Sequence, residues 1–138
     1  MFILLLLLSC KTTLVSPAEA PMETPIQEWS DVLTKVVTPD GYVDYSLLNE
    51  HKDVLERYVA WIANPRAHPK KATRVRFAFW LNAYNALVLY QIIHRNIPDS
   101  VTEVEGTLPI KGSGFFKETQ FPVGADTLSL SEIKHERI

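Results

Sequence analysis

One segment constrains this chain more than any other. Residues 73–96 read TRVRFAFWLNAYNALVLYQIIHRN. Phe77, Phe79, Trp80, Leu81, Tyr84, Leu87, Val88, Leu89, Ile92 and Ile93 point in nearly every direction around a helical axis. A helix that is apolar all round is buried inside a fold and does not lie on its surface. The segment is long enough to cross a bilayer, but Arg74, Arg76, Asn82, Asn85, Gln91, His94 and Arg95 interrupt it and argue against a membrane span. The expectation is therefore a central helix with the rest of the protein packed around it. Asn82 and Asn85 lie three residues apart and share one face of that helix. A buried carboxamide without a hydrogen-bond partner costs about 1–3 kcal/mol. Two readings stay open for the pair. Either the amides tie loop backbone to the helix, or they line a polar cleft and orient a ligand.

The remainder of the chain supports a single α+β domain. Its 138 residues suffice for one compact core. Apolar residues make up 46% and charged residues 22%, which excludes a disordered or low-complexity chain. Fourteen basic residues against sixteen acidic ones leave no basic stripe to neutralise phosphates, so nucleic acid is not an expected partner. Before the central helix, Thr24-Pro25-Ile26-Gln27 predicts a capped helix start, with Ile26, Trp29, Leu33 and Val36 at helical spacing and Val32 and Val37 widening the stripe. Thr38-Pro39-Asp40-Gly41 stops that helix. Tyr42 to Tyr45 reads as extended, and a second helix is expected over residues 46–63. After Pro98 come a single helical turn over residues 99–104, a loop over 105–118 pinned by Phe115 and Phe116, and a hairpin of residues 120–123 and 127–129 about Gly124-Ala125-Asp126. Ser129-Leu130-Ser131-Glu132 is a capping box opening a last helix, which has run only about two turns at Ile138. The expected architecture is thus a mostly helical first part around one buried helix, then a short hairpin and a further helix.

The front of the chain speaks about location. Phe2 to Leu8 is an apolar run too short to span a bilayer and of a length that suits an export signal. It closes on Leu7-Leu8-Ser9-Cys10, which resembles the lipobox of bacterial lipoprotein signal peptides. That resemblance implies a signal peptide over residues 1–10, acyl chains on Cys10, a Pro-containing tether over 11–23 and a folded domain over 24–138. It places the protein in a bacterial cell envelope, its membrane partner reached through the acyl anchor. No Lys or Arg precedes the run, unlike most export signals. The alternative is a buried N-terminal element with a free thiol.

Four segments together resemble the family called domain of unknown function 547. Asp40-Gly41-Tyr42-Val43-Asp44-Tyr45 resembles its "dG-x-VDY" motif, and residues 77–87, FAFWLNAYNAL, resemble its "AFWiNaYNaL" helix. Residues 121–130 resemble its "v-G-x-x-lsL" hairpin and residues 131–138 its "ddIEheiLR" helix start. The likeness runs from about Trp29 to the end. Lys134 stands where the family motif has an acidic residue, while His135 keeps its place. The resemblance implies that the pattern continues into further strands with a His- and Cys-rich segment, and that this chain is an incomplete copy. It also implies, in outline, the first part of a papain-like or transglutaminase-like layout.

The candidate pocket residues are Asn82, Tyr84, Asn85, Asp44, Tyr45 and His135. Each has a plain structural alternative. Asp44 precedes a helix and is a natural cap, Tyr45 and Tyr84 pack, and His135 satisfies itself at the surface. His94 near a helix C-terminus is a dipole partner. His51 and His68 lie in polar surroundings. The histidines lack ligand spacing, so neither a metal nor any other cofactor is expected. Cys10 is the only cysteine and is assigned to the anchor, which leaves no thiol nucleophile in the domain. The first functional reading is a lipid-anchored envelope protein with a binding or scaffolding domain for a protein or small molecule. The second is a papain-like or transglutaminase-like hydrolase or transferase whose catalytic residues lie mostly beyond Ile138. A third is a gene fragment that does not fold alone.

Overall fold

The computed structural model describes residues 23–69 and 73–138. The expected signal peptide, Cys10 and nearly all of the tether lie outside the described residues. Among the described residues, five α-helices and one hairpin make an α+β arrangement: α1 (Ile26–Val36), α2 (Tyr45–Glu50), α3 (Lys52–Ala63), α4 (Thr73–His94), β1 (Phe121–Val123), β2 (Asp126–Leu128) and α5 (Leu130–Glu136).

Helix α1 starts one residue later than its sequence cue. Pro25 occupies the cap position and no side chain caps the end, while Gln27 Nε2 donates to Asp31 Oδ1 at 3.0 Å instead of closing a box. Trp29, Val32 and Val36 are buried, whereas Ile26 and Val37 are exposed. The turn that follows needs Gly41, which sits at φ 84 where a side chain is disfavoured. Its amide donates to Thr38 O at 2.9 Å, and Val37 and Val43 pair across the turn as an isolated bridge.

The expected second helix is two helices. His51, at φ −107 and ψ 21, separates α2 from α3. Apolar spacing alone does not register such a break, because Leu48 and Leu55 are both fully buried on either side of it. Helix α3 then lies along α4. An aromatic ladder joins the helices: Trp29 stacks on Tyr58 and Tyr58 on Trp61, each pair 5.8 Å apart, and Trp61 meets the edge of Phe79 at 6.2 Å.

Helix α4 ends in a Schellman motif. Ile97 N donates to Ile92 O at 3.0 Å and Asn96 N to Ile93 O at 3.1 Å. Asn96 takes the left-handed position that Gly or Asn favours, with φ 57. Val101–Glu103 is the expected single turn, of 3-10 type. Residues 114–118, read from sequence as loop, form one π-helical turn that buries Phe115. The hairpin pairs Phe121 with Leu128 and Val123 with Asp126, turning at Gly124-Ala125. The capping box forms as the sequence predicts: Ser129 Oγ accepts from Glu132 N at 3.2 Å, and Glu132 Oε2 accepts from Ser129 N at 2.7 Å.

The central helix departs from expectation in one consequential respect. Beyond Asn85 it is largely enclosed, with Ala86, Leu87, Leu89, Tyr90, Gln91, Ile92 and Ile93 all buried. Up to Asn85 only one side is covered, through Phe79, Trp80 and Ala83. Arg74, Phe77, Ala78, Leu81, Asn82 and Asn85 are exposed. Three- and four-residue spacing puts most of these on one strip, and the same side is buried again at Leu89 and Ile92. The helix is therefore a half-enclosed rod. Hydrophobic residues on all sides of a segment mark what it can bury, not what the rest of the fold covers.

Candidate functional site

The two asparagines are the first correction. Asn82 and Asn85 do share a face, but it is the exposed one, and neither carboxamide has a hydrogen-bond partner among the described residues. Tyr84 is half-buried against the core, where desolvation raises its phenol pKa. Asp44 serves as the cap of α2, its Oδ1 accepting from Leu47 N at 2.9 Å. Tyr45 begins that helix and packs against the core. His135 is exposed in the last turn of α5. Among the described residues, no hydrogen bond or ion pair joins any two of these six.

The buried carboxamide of α4 is Gln91, which in the sequence counts only as one of the polar residues that argue against a membrane span. It is wholly excluded from solvent. Its Nε2 donates to Thr119 Oγ1 at 3.2 Å, and Thr119 Oγ1 in turn donates to Gly114 O at 2.8 Å. Arg95 Nη2 donates to the same threonine oxygen at 3.0 Å. Desolvation lowers the pKa of the Arg95 guanidinium, which still stays charged in a protein. This knot fixes the end of α4 to the π-helical turn. The role of tying a loop to the helix thus falls two turns beyond the asparagines.

A second clasp holds the preceding loop. Glu118 accepts from Thr107 N at 2.8 Å and Leu108 N at 3.0 Å, and these backbone donors hold its carboxyl below the usual range. Gly106 and Gly114 make the close approach possible. A Cβ on Gly106 would overlap the Glu118 carboxylate, and one on Gly114 would overlap Glu105 O. The loop of residues 102–112 encloses a hollow of about 550 Å³ whose walls include Glu103, Glu105 and Lys111. His94 bridges the long helices, with Nε2 3.3 Å from Glu56 Oε1 on α3 and its ring stacked on Tyr90 at 3.9 Å. That position at the end of α4 agrees with a helix-terminus role.

A second cleft, of about 400 Å³, lies at the beginning of α4. His68 from the turn after α3, Thr73, Arg76, Phe77 and Trp80 from α4, and Glu136 and Arg137 at the end of α5 line it. His68 meets the edges of Phe79 and Trp80 at 5.5 and 5.4 Å. Arg137 lies over the Trp80 ring at 5.3 Å and donates to Asp126 Oδ2 at 3.0 Å. In the sequence His68 and Arg76 stand out only as polar positions and Phe77 and Trp80 only as apolar ones, and none of them is a pocket candidate. The one local signal was a guanidinium and an aromatic ring one turn apart, Arg76 and Trp80, at a helix start. Among the described residues, no group of three or more His, Cys, Asp or Glu side chains is placed to hold a metal ion. No helix among them is long and apolar enough to cross a membrane.

The fold and its surfaces define a small α+β domain built on one long, half-enclosed helix. The chain belongs to the family described as protein of unknown function, DUF547, whose model matches residues 70–138. The match covers α4, the hairpin and α5. The "dG-x-VDY"-like segment at residues 40–45 precedes the matched region, and α3 carries that earlier part of the chain against α4. No curated protein and no solved structure matches.

Proposed function

We propose that this protein is a lipid-anchored component of a bacterial cell envelope whose domain serves as a binding or scaffolding module. The observation that carries the binding role is the open strip on α4. Phe77 and Leu81 are 47% and 40% exposed, beside the amides of Asn82 and Asn85, which have no partner among the described residues. The opposite side of the same helix is locked into the core through Ala83, Ala86 and Leu87. A rigid helix that displays apolar surface next to free amide donors and acceptors has the composition of a contact surface.

The anchor rests on the sequence of residues 2–10. In that reading the Cys10 thiol takes a diacylglyceryl group and residues 11–23 hold the domain away from the bilayer. Buried acyl CH₂ groups contribute about 0.8 kcal/mol each, so more than one chain gives firm attachment. Fractionation of cells expressing the full chain and its Cys10→Ser variant tests this. The native chain is expected in the membrane fraction and the variant in the soluble fraction. A variant that remains with the membranes overturns the anchor. For the binding role, a photo-crosslinker at position 85 should give a discrete adduct in intact cells, and one at Lys134 on α5 should not. Equal, diffuse labelling from both positions contradicts a contact surface on α4.

A further inference from the structure

The cleft at the start of α4 has chemistry that the binding reading does not use. Its floor is aromatic: Trp80 is almost fully buried, His68 sets its edge against that ring, and Phe77 brings exposed apolar surface to the mouth. Two guanidiniums line it. Arg137 is held in place by the Trp80 face and by Asp126, which engages only Nη2. A guanidinium has five N–H donors in a fixed fork, so this pairing leaves others available. Arg76, exposed and one turn before Trp80, makes no ion pair among the described residues. The start of a long helix also carries a partial positive charge. One carboxylate, Glu136, completes the lining.

Net charge does not select the ligand, because Asp126 offsets Arg137 and Glu136 offsets Arg76. The donor and acceptor pattern does. A planar carboxylate matches the guanidinium fork. An N–H group next to that carboxylate matches Glu136. An apolar side chain matches the exposed surface of Phe77 at the mouth. A volume near 400 Å³ lies at the small end of ligand pockets. We infer that this cleft binds an amino-acid unit with an apolar or aromatic side chain through its carboxylate, either as a free amino acid or as the carboxyl terminus of a peptide. The inference stands independently of the lipid anchor and of the two asparagines, and shares only Phe77 with the open strip.

The test is titration of the full chain in detergent micelles with three probes, read on the Trp80 indole N–H signal by NMR and assigned with Trp80→Phe. The probes are L-phenylalanine, N-acetyl-L-phenylalanine and L-phenylalanine amide. The first two should shift the signal with a dissociation constant on the order of 1–10 mM, typical of a ligand this small. The amide, which lacks the carboxylate, should not. Arg76→Gln should weaken binding about tenfold, the loss expected for one charge-assisted hydrogen bond. Arg76 is exposed and unpaired among the described residues, so the variant keeps the fold. Tighter binding of the free amino acid assigns the site to amino acids, and tighter binding of the acetylated form assigns it to peptide termini. The inference is overturned if neither carboxylate probe shifts the signal at about 100 mM, well above that range. Equal binding of the amide, or unchanged affinity in Arg76→Gln, overturns it too.

Discussion

Replacing both asparagines of α4 by alanine separates the observed arrangement from the one that the apolar pattern predicts. The two exposed amides make no hydrogen bond among the described residues. Exposed substitutions of this kind change stability by less than about 0.5 kcal/mol through lost contacts. Alanine is the better helix former by up to roughly 0.7 kcal/mol per position. The double variant Asn82→Ala, Asn85→Ala should therefore be as stable as the parent or more stable by about 1 kcal/mol. Were both amides buried and bonded, each loss would cost about 1–3 kcal/mol. The sign of the effect decides. For a domain of this size, 1 kcal/mol moves the melting temperature by about 4 °C. The expected change lies between zero and about +4 °C, and the alternative is a fall of roughly 8 °C or more. Leu87→Ala, on the enclosed side of the same helix, is the internal standard and should lose about 2–5 kcal/mol. Thermal unfolding followed by circular dichroism, on full chains carrying Cys10→Ser, makes the comparison. A clear fall in the double variant refutes the open-strip reasoning.

Two further outcomes follow from the polar clasps. Thr119→Val removes the oxygen shared by Gln91 and Arg95 and leaves buried donors unpaired. It should cost about 1–3 kcal/mol in chemical denaturation, and an unchanged midpoint would show that the knot contributes nothing. Glu118 has its carboxyl held below the ordinary range by Thr107 and Leu108. A carboxylate of that kind contributes stability above its unfolded pKa, near 4.3, and loses it as pH falls through the lower folded value. Hydrogen exchange at Thr107 and Leu108 should therefore accelerate on acidification through that window in the native chain, while Glu118→Gln should be already fast and insensitive. Identical pH profiles in the two proteins would contradict the clasp.

What the residues disclose in advance is mostly local. Ser129 and Glu132 are three apart, and the capping box they form depends on nothing distant. The single turn after Pro98 and the hairpin about Gly124 are likewise set by short-range backbone preferences. The two-residue turn and positive φ at Gly124 need only the chain on either side. The errors come where the answer depends on what lies opposite. Asn82, Asn85 and Gln91 are all carboxamides on one apolar helix, and periodicity ranks none of them above the others. Only the position of Gly114 and Thr119 in space makes Gln91 the buried one. The break at His51 is hidden because α2 and α3 bury residues on both sides of it. The cleft of His68, Arg76, Trp80 and Arg137 joins positions as much as sixty-nine residues apart, so no local pattern announces it. Asp44 shows the converse: its role as a helix cap needs only Leu47, and the sequence states it openly.

The central claim is that α4 is enclosed on one side and open on the other from its start to Asn85. Single cysteines placed by Leu81→Cys, Ala83→Cys, Asn85→Cys and Ala86→Cys, each in a Cys10→Ser chain, test it by their rate of reaction with a thiol reagent under native conditions. The account predicts near free-thiol rates at 81 and 85, and rates at 83 and 86 slower by orders of magnitude, set by opening of the core. Equal protection at all four positions would contradict it.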